Sequence, residues 1–305
     1  YIDDYVAALG HNWVEGDKNW YCSKCNQSEA YGFDFSLAKY DGENCYVVRD
    51  VEDTGVVING VLNIPRKYES LPVRVIANFS LSSVGDITKK VLIHDNIKDI
   101  YSDLWHGTSI WDPNLDAICS LEEVVFDETC KDMRIESGAF ANCPNLEKVN
   151  IKKGMVKYTP SDAVTTVNGG TADYLFIDTP FFENNAVIKN GLYYIADLLL
   201  YADFNELSSN ISIDDGTPNI GNCLFNKCPI IKSVSIPSSV ISIGQSAFNQ
   251  CINLTDITFN GTMEEFNQIS FAPSAFSGVK TDHVSCLDGD VYDYHYNGWT
   301  AHIGE

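Results

Sequence analysis

Positive charge is scarce in this sequence, which has 20 lysines and arginines against 42 aspartates and glutamates. The formal net charge is −22 at pH 7, and such an acidic chain repels phosphate backbones and anionic lipid headgroups. A long apolar run is also lacking. The longest one, at 191–204, is interrupted by Asp197 and is shorter than the roughly 20 residues of a bilayer-spanning helix. We therefore expect neither nucleic acid as a partner nor membrane insertion by this chain.

Sequence motifs for common enzyme chemistry are absent as well. The chain has no Gly-x-Ser-x-Gly nucleophile turn, no Gly-x-x-x-x-Gly-Lys phosphate loop and no Gly-x-Gly-x-x-Gly. The six histidines are scattered, without the spacing of a metal motif. The sequence thus offers no acid, base and nucleophile at a recognisable spacing, and we expect a protein that is not an enzyme.

An internal repeat is the strongest pattern in the sequence. The segments 139–151, 224–240 and 247–259 share one phase, in which a phenylalanine precedes a cysteine by three residues. The cysteine in turn precedes the last apolar residue of a short alternating run by eight. In the second half the period is 23 residues, which lies in the range of leucine-rich repeats. The phenylalanine–cysteine pairs are Phe140–Cys143, Phe225–Cys228 and Phe248–Cys251.

One repeat unit predicts a short strand followed by turns. Val234 and Ile236 would point to one face of a strand, while Ser233 and Ser235 point outward. The run at 246–251 predicts a single helical turn that places Phe248 in the interior. Degenerate strands at 60–64, 89–93 and 122–126 extend the array, and we count seven strand-bearing units. Stacked units of this kind predict an α/β repeat fold, a strand-rich solenoid with short helical turns.

The repeat resembles a known family. SVSIPSSVISIG at 233–244 and IGQSAFNQCINLTDITF at 243–259 are similar to the BspA-like leucine-rich repeat family of bacterial surface and secreted proteins. The resemblance covers roughly residues 35–291, and it implies a right-handed leucine-rich-repeat-like solenoid. It further implies export to a bacterial cell surface and a role in adhesion or protein binding. Since the chain starts at Tyr1 without a charged and then apolar leader, we expect any signal peptide to be absent from it.

The sequence predicts that the chain is divided into three parts. We expect a cap segment at 1–34 that contains cysteine and histidine, a solenoid at 35–291 and a capping tail at 292–305. The solenoid carries a long insertion near 154–205, in which Asn190-Gly191 is a hairpin turn signal.

The cap segment holds the candidate metal ligands His11, Cys22 and Cys25. Two thiolates at Cys-x-x-Cys spacing can share one zinc ion, and His11 would be a third ligand. A fourth ligand is missing, and one such pair is a weaker signal than two. Zinc therefore remains one hypothesis, and a Cys22–Cys25 disulfide or free thiols remain the other.

The same segment can also be a docked cap. Its aromatic residues Trp13, Trp20 and Tyr21 would then cover the first strand of the solenoid, near 60–64. We favour docking over zinc, because every solenoid needs its end covered. The repeat cysteines Cys143, Cys228 and Cys251, by contrast, are expected to be buried small apolar residues, and we expect mostly free thiols.

The leading functional hypothesis is a non-catalytic, extracellular or cell-surface scaffold for binding and adhesion. It would present its repeat surface to a protein or glycan partner, including one that is host-derived, and it would act as a monomer. A structural spacer within a larger surface protein is the alternative. A third, less favoured hypothesis is an enzyme with its site in the 154–205 insertion or in the tryptophan- and histidine-containing patch at 103–112.

Overall fold

The computed structural model describes residues 13–292 except 17–19, 24–27, 78–79, 102–103, 105–118, 137, 141–142, 160–164, 168–169, 173–174 and 177. The chain forms two compact units. The first unit consists of Tyr1–Val156 and Leu175–Asn184, and the second of Lys157–Tyr174 and Asn185–Glu305.

The first unit contains two rows of parallel strands. One row is β6, β9, β11 and β13, and the other is β4, β8, β10 and β12. Antiparallel partners flank them: β3 pairs with β4, β5 with β6 and β7 with β8, while β1 pairs with β2. The strands, with β14 at the end of the unit, are β1 (Trp13–Glu15), β2 (Trp20–Cys22), β3 (Phe33–Tyr40), β4 (Glu43–Val51), β5 (Val57–Ile58), β6 (Val61–Asn63), β7 (Lys67–Tyr68), β8 (Leu71–Ile76), β9 (Lys90–Ile93), β10 (Asp99–Ile100), β11 (Glu123–Phe126), β12 (Met133–Glu136), β13 (Lys148–Val149) and β14 (Val156–Thr159).

The second unit repeats this plan with a more regular period. Strands β20, β22, β24 and β26 form one parallel row, and β21, β23 and β25 form the other. The strands are β15 (Thr165–Val167), β16 (Gly170–Ala172), β17 (Val187–Lys189), β18 (Leu192–Ile195), β19 (Leu198–Ala202), β20 (Asn210–Ser212), β21 (Asn219–Ile220), β22 (Ser233–Pro237), β23 (Ser242–Ile243), β24 (Asp256–Asn260), β25 (Ser270–Phe271), β26 (His283–Cys286) and β27 (Gly289–Tyr292); the α-helices of the described chain are α1 (Pro180–Asn185) and α2 (Met263–Asn267).

The strand register confirms the 23-residue period. Ile211 pairs with Val234, and Val234 pairs with Ile257. The strand-rich, leucine-rich-repeat-like solenoid predicted from the repeats is thereby confirmed. The hairpin of the insertion is present too: β17 and β18 are joined by Asn190 and Gly191, whose φ angles are 51° and 80°. Positive φ at both central residues is the geometry that an Asn-Gly turn favours.

Stacked phenylalanine rings fill the interior of the second unit. Phe225, Phe248 and Phe276 come from successive coils, and the ring centroids are 4.9 Å and 5.0 Å apart. The backbone supports the stack, since the Phe248 amide donates to the Ala275 carbonyl of the next coil at 2.7 Å. Phe225 and Phe248 have no exposed surface, and neither have the repeat cysteines. The repeat phenylalanines and cysteines are therefore core residues, as the sequence predicts.

Close approach of neighbouring coils explains the glycine that follows Ile243. A Cβ atom added to Gly244 would lie 2.6 Å from the backbone nitrogen of Asn222 in the preceding coil. The Gly244 amide also donates to the Ile220 carbonyl at 2.8 Å. The φ angle of Gly244 is not positive, so the backbone conformation does not require glycine. Glycine is needed because a side chain would clash with the preceding coil.

Ion pairs hold the N-terminal segment against the first coil. The buried Glu29 carboxylate accepts a hydrogen bond from Asn63 at 2.8 Å and pairs with Arg66 at 2.9 Å. Glu15 pairs with Lys67 at 3.0 Å. The segment thus contacts the region near 60–64 where docking was predicted. The contacts just named are ion pairs and a hydrogen bond, however, and Tyr21 is 37% exposed, while the side chains of Trp13 and Trp20 lie outside the description.

A buried histidine extends this network. His94 is 1% exposed, and its Nε2 lies 2.7 Å from the Asn63 Oδ1, which can only accept, so Nε2 donates. Its Nδ1 has no hydrogen-bond partner among the described residues. Burial, with the Arg66 charge adding to it, lowers the pKa of His94 to about 3. A proton on Nδ1 would therefore be buried without an acceptor.

We predict that replacing Phe248 by alanine lowers the free energy of unfolding by about 3–5 kcal/mol, as expected for a fully buried ring that leaves a cavity. Ile252→Ala is the matched control, because Ile252 is 52% exposed and its truncation should change stability by about 0.5 kcal/mol or less. Urea unfolding of both variants measures the difference. A loss at Phe248 as small as the loss at Ile252 would show that the repeat phase is wrong.

Acid should destabilise the protein through His94. The pKa of His94 is depressed in the folded state. In the unfolded chain His94 is therefore protonated below about pH 6.5, whereas in the folded chain it stays neutral down to about pH 3. Stability should therefore fall as the pH falls through this window. His94→Gln keeps a donor to Asn63 but cannot titrate, so its stability should fall less steeply.

The measurement is the unfolding free energy of both proteins between pH 7 and pH 4. Glu29 acts in the opposite direction, because burial raises its pKa, and a raised carboxyl pKa gives stability that is lost as pH rises. Both proteins keep Glu29, so the difference between them isolates His94. Equal slopes would contradict the prediction.

Candidate binding surface

The outward face of β20, β22 and β24 is a row of small polar side chains. Alternation along each strand turns the apolar residues inward, so that Val234 and Ile257 are buried. The intervening residues are exposed or half-buried. We call them the polar row, and its members are Asn210, Ser212, Ser233, Ser235, Asp256, Thr258 and Asn260.

Hydrogen bonds join this row across the coils. The Ser233 hydroxyl donates to the Asn210 Oδ1 at 2.8 Å, and the Asn260 amide donates to the Ser235 hydroxyl at 3.1 Å. These bonds fix the rotamers of four side chains. Each amide and hydroxyl has a further hydrogen-bonding position, so a fixed array of donors and acceptors faces outward.

Electrostatically, the polar row is neutral to acidic. Asp256 is its one charged member, and its carboxylate accepts from the neighbouring Thr255 hydroxyl at 2.7 Å. No arginine or lysine belongs to the row. Such a surface suits hydrogen bonding to a neutral or basic partner and is unsuited to phosphate or sulfate groups.

A second surface feature lies in the first unit, and sequence reasoning missed it. Phe35 and Tyr68 stack with ring centroids 4.6 Å apart, and Tyr46 packs edge-on against Tyr68 at 4.9 Å. The Tyr46 hydroxyl donates to the Glu69 carboxylate at 3.0 Å. All three rings are half-buried. Each strand carries only one of these aromatic residues, so the cluster appears only when β3, β4 and β7 are brought together.

The predicted zinc ligands are only partly within the described chain. Cys22 is buried in β2, whereas His11 and Cys25 lie outside the described residues. Among the residues that the structure describes, no group of three histidine, cysteine or acidic side chains could hold a metal ion. Zinc at His11, Cys22 and Cys25 thus stays a prediction, and so does the alternative of a disulfide or free thiols.

For the enzyme hypothesis, the informative contacts are those between histidine and carboxylate groups. His94 lies 3.9 Å from Glu29, but both side chains are only 1% exposed, so no substrate can reach them. His283 lies 3.0 Å from the carboxylate of its neighbour Asp282. Neither pair belongs to the 154–205 insertion. Of the 103–112 patch the structure describes only Leu104.

Comparison with known proteins gives a family match. The model of the BspA type leucine rich repeat region matches residues 108–166 and 172–295, with six copies of the repeat. Residues 35–107, which we also expected to belong to the array, lie outside this match, although β6 and β9 pair in parallel as the later coils do. A search of curated proteins found no match.

Solved structures of bacterial repeat proteins are also similar. A leucine rich cell surface protein from Faecalibacterium prausnitzii is 15% identical, covering 85% of this chain and 94% of that chain, with a TM-score of 0.35. A leucine-rich repeat protein from Bacteroides ovatus is 16% identical over 84% of this chain and 75% of that chain, with a TM-score of 0.30. The leucine rich repeat protein of T. pallidum is 14% identical over 83% of this chain and 82% of that chain, with a TM-score of 0.29.

Within the described part of the chain, no helix has the length and apolar character to cross a membrane.

The family match covers more than half of the sequence and includes the second unit's regular coils, whose register and buried phenylalanines follow the repeat. The chain therefore belongs to the BspA type leucine rich repeat family.

Proposed function

We propose that this protein is a non-catalytic binding scaffold on the outside of a bacterial cell, and that the polar row holds a protein or glycan partner. The observation that supports the proposal is the row itself, an outward array of hydroxyl, amide and carboxylate groups on successive strands. Strands support a binding site better than loops, and the backbone of β22 and β24 is fixed by a strand ladder on both sides.

The spacing of the row defines the geometry of the partner. Neighbouring strands lie about 4.8 Å apart, so equivalent side chains on β20, β22 and β24 repeat at that distance. An extended partner that crosses the strands would meet a donor or acceptor at each step. Hydroxyl-rich sugars and peptide backbones both offer groups that can match such a series.

Charge narrows the class of partner further. The chain carries a net charge of −22, and the polar row adds Asp256 to it. A neutral glycan or a basic protein surface is therefore favoured over a sulfated or phosphorylated one. Location outside the cell agrees with the surface and secreted character of the family that the repeat resembles.

A specific observation favours the spacer alternative. The bonds Ser233–Asn210 and Ser235–Asn260 already satisfy part of the row from within. A spacer needs no more than such an internally bonded, soluble face. The enzyme alternative has less support, because the described histidine–carboxylate pairs are either sealed or lie outside the insertion.

We predict that the intact protein binds a member of an array of neutral glycans and extracellular-matrix proteins, and that Asp256→Lys combined with Thr258→Lys weakens binding about tenfold or more. Both side chains are exposed, so the fold should be retained. Asp215→Lys is the control, because Asp215 is also exposed but lies outside the row, and it should bind like the wild type.

The dissociation constant of the partner found on the array is measured for the wild type, the double variant and Asp215→Lys. Equal binding by the double variant and by the control would place the binding site elsewhere. A folded protein that binds nothing on the array would support the spacer.

A further inference from the structure

Two buried cysteines of the first unit lie in contact on adjacent coils. Cys119 precedes β11 and Cys143 precedes β13, and these two strands are parallel neighbours. The two Sγ atoms are 3.0 Å apart. Cys119 is 3% exposed and Cys143 has no exposed surface. The sulfurs thus lie close together in a site from which water is excluded.

The general spacing of neighbouring strands is compatible with a disulfide between adjacent coils. Adjacent strands are about 4.8 Å apart, and the Cα atoms of a disulfide are usually about 4.4–6.8 Å apart. The two coils are held together here, because the Asn145 side chain donates to the Cys119 carbonyl at 3.3 Å. Glu123 and Lys148 continue the pairing a few residues later.

The repeat offers an internal contrast. Cys228 and Cys251 are also buried on adjacent coils, 23 residues apart. However, the Cys251 thiol donates to the Phe225 carbonyl at 3.0 Å, which directs its sulfur toward the backbone. In this pair a backbone carbonyl accepts from the thiol, whereas the Cys119 thiol is directed at the Cys143 sulfur.

A length difference in the sequence accompanies this contrast. Cys143 precedes Leu146 by three residues, as Cys251 precedes its own leucine, but Cys119 precedes Leu121 by only two. The segment between the cysteine and the leucine is therefore one residue shorter at Cys119. As a result, Cys119 lies one residue nearer to β11 than Cys143 lies to β13.

We propose that Cys119 and Cys143 form a disulfide that links the two coils in the exported protein. Each thiol loses its proton, one sulfur–sulfur bond forms, and two electrons pass to an external disulfide, which is reduced to two thiols. The exchange runs through a mixed disulfide while the coils are still opening and closing during folding, since the finished structure buries both sulfurs. Export supplies the oxidising surroundings in which such bonds persist.

The proposal is confined to this pair. Cys119 itself is a free thiol in the structure, as are six other cysteines of the described chain: Cys45, Cys130, Cys223, Cys228, Cys251 and Cys286. The expectation of mostly free thiols therefore remains for the repeat array. The bond would tie the coil that contains Cys119 to the first coil with the complete phenylalanine and cysteine pattern.

The test is peptide mapping of the intact chain after folding with oxidised glutathione. Combined digestion after lysine, arginine and glutamate places Cys119, Cys130 and Cys143 on three different peptides, because Glu122, Lys131 and Arg134 separate them. The expected product is a Cys119–Cys143 linked peptide that reductant separates. Formation of the bond also lowers the intact mass by about 2 Da, for two hydrogens.

Thermal unfolding gives a second measurement. Reductant should lower the Tm of the oxidised wild type but leave the Tm of Cys143→Ala unchanged, because a disulfide restricts the unfolded chain. Cys251→Ala is the matched control, and reductant should still lower its Tm. A wild type without the linked peptide, or one with as much Cys228–Cys251 or Cys119–Cys130 linkage, would overturn the proposal even if Cys143→Ala failed to fold.

Discussion

The stacking of phenylalanine rings from successive coils is the interaction on which the rest of the second unit depends. Phe225, Phe248 and Phe276 lie about one strand spacing apart, so the rings can stack only if each coil has the same cross-section. The coils from β20 to β24 meet this condition with a 23-residue period, and Phe276 still stacks on Phe248 although α2 lengthens its coil. The condition also explains why insertions such as α2 lie between strands and not within them. One coil cannot bury its own ring, and the stack is therefore stable only as an array.

The same constraint separates residues for the fold from residues for function. Inward positions on β22 and β24 must be apolar, and they are buried. Outward positions need only keep the strand extended, so their chemistry is free to match a partner. The polar row occupies these positions, and most of its members lie on β22 and β24, which are hydrogen bonded on both sides. Binding on a rigid surface then requires little ordering of the protein, which reduces the entropy cost of association.

Local patterns predicted the fold well, whereas the contacts between distant residues were not predictable. Alternation at Val234 and Ile236 and the Asn190-Gly191 turn depend on neighbours in the chain, and both are confirmed. Glu29 and Arg66 are far apart in sequence, and no local pattern marks Glu29 as a buried carboxylate. Aromatic docking was expected instead, because aromatic residues are visible in the sequence. The contact between Cys119 and Cys143 joins residues 24 apart in sequence, and no local pattern marks these two cysteines as neighbours.

Hydrogen exchange resolved by segment, on the intact wild type, tests most directly whether the stacking of successive coils is the basis of this structure. Strands β22 and β24 have parallel neighbours on both sides, whereas β27, among the strands that the structure describes, pairs with β26 alone. The account predicts that the amides of β22 and β24 are the slowest of the second unit and exchange together, and that those of β27 are much faster. Exchange of β22 as fast as that of β27 would contradict it.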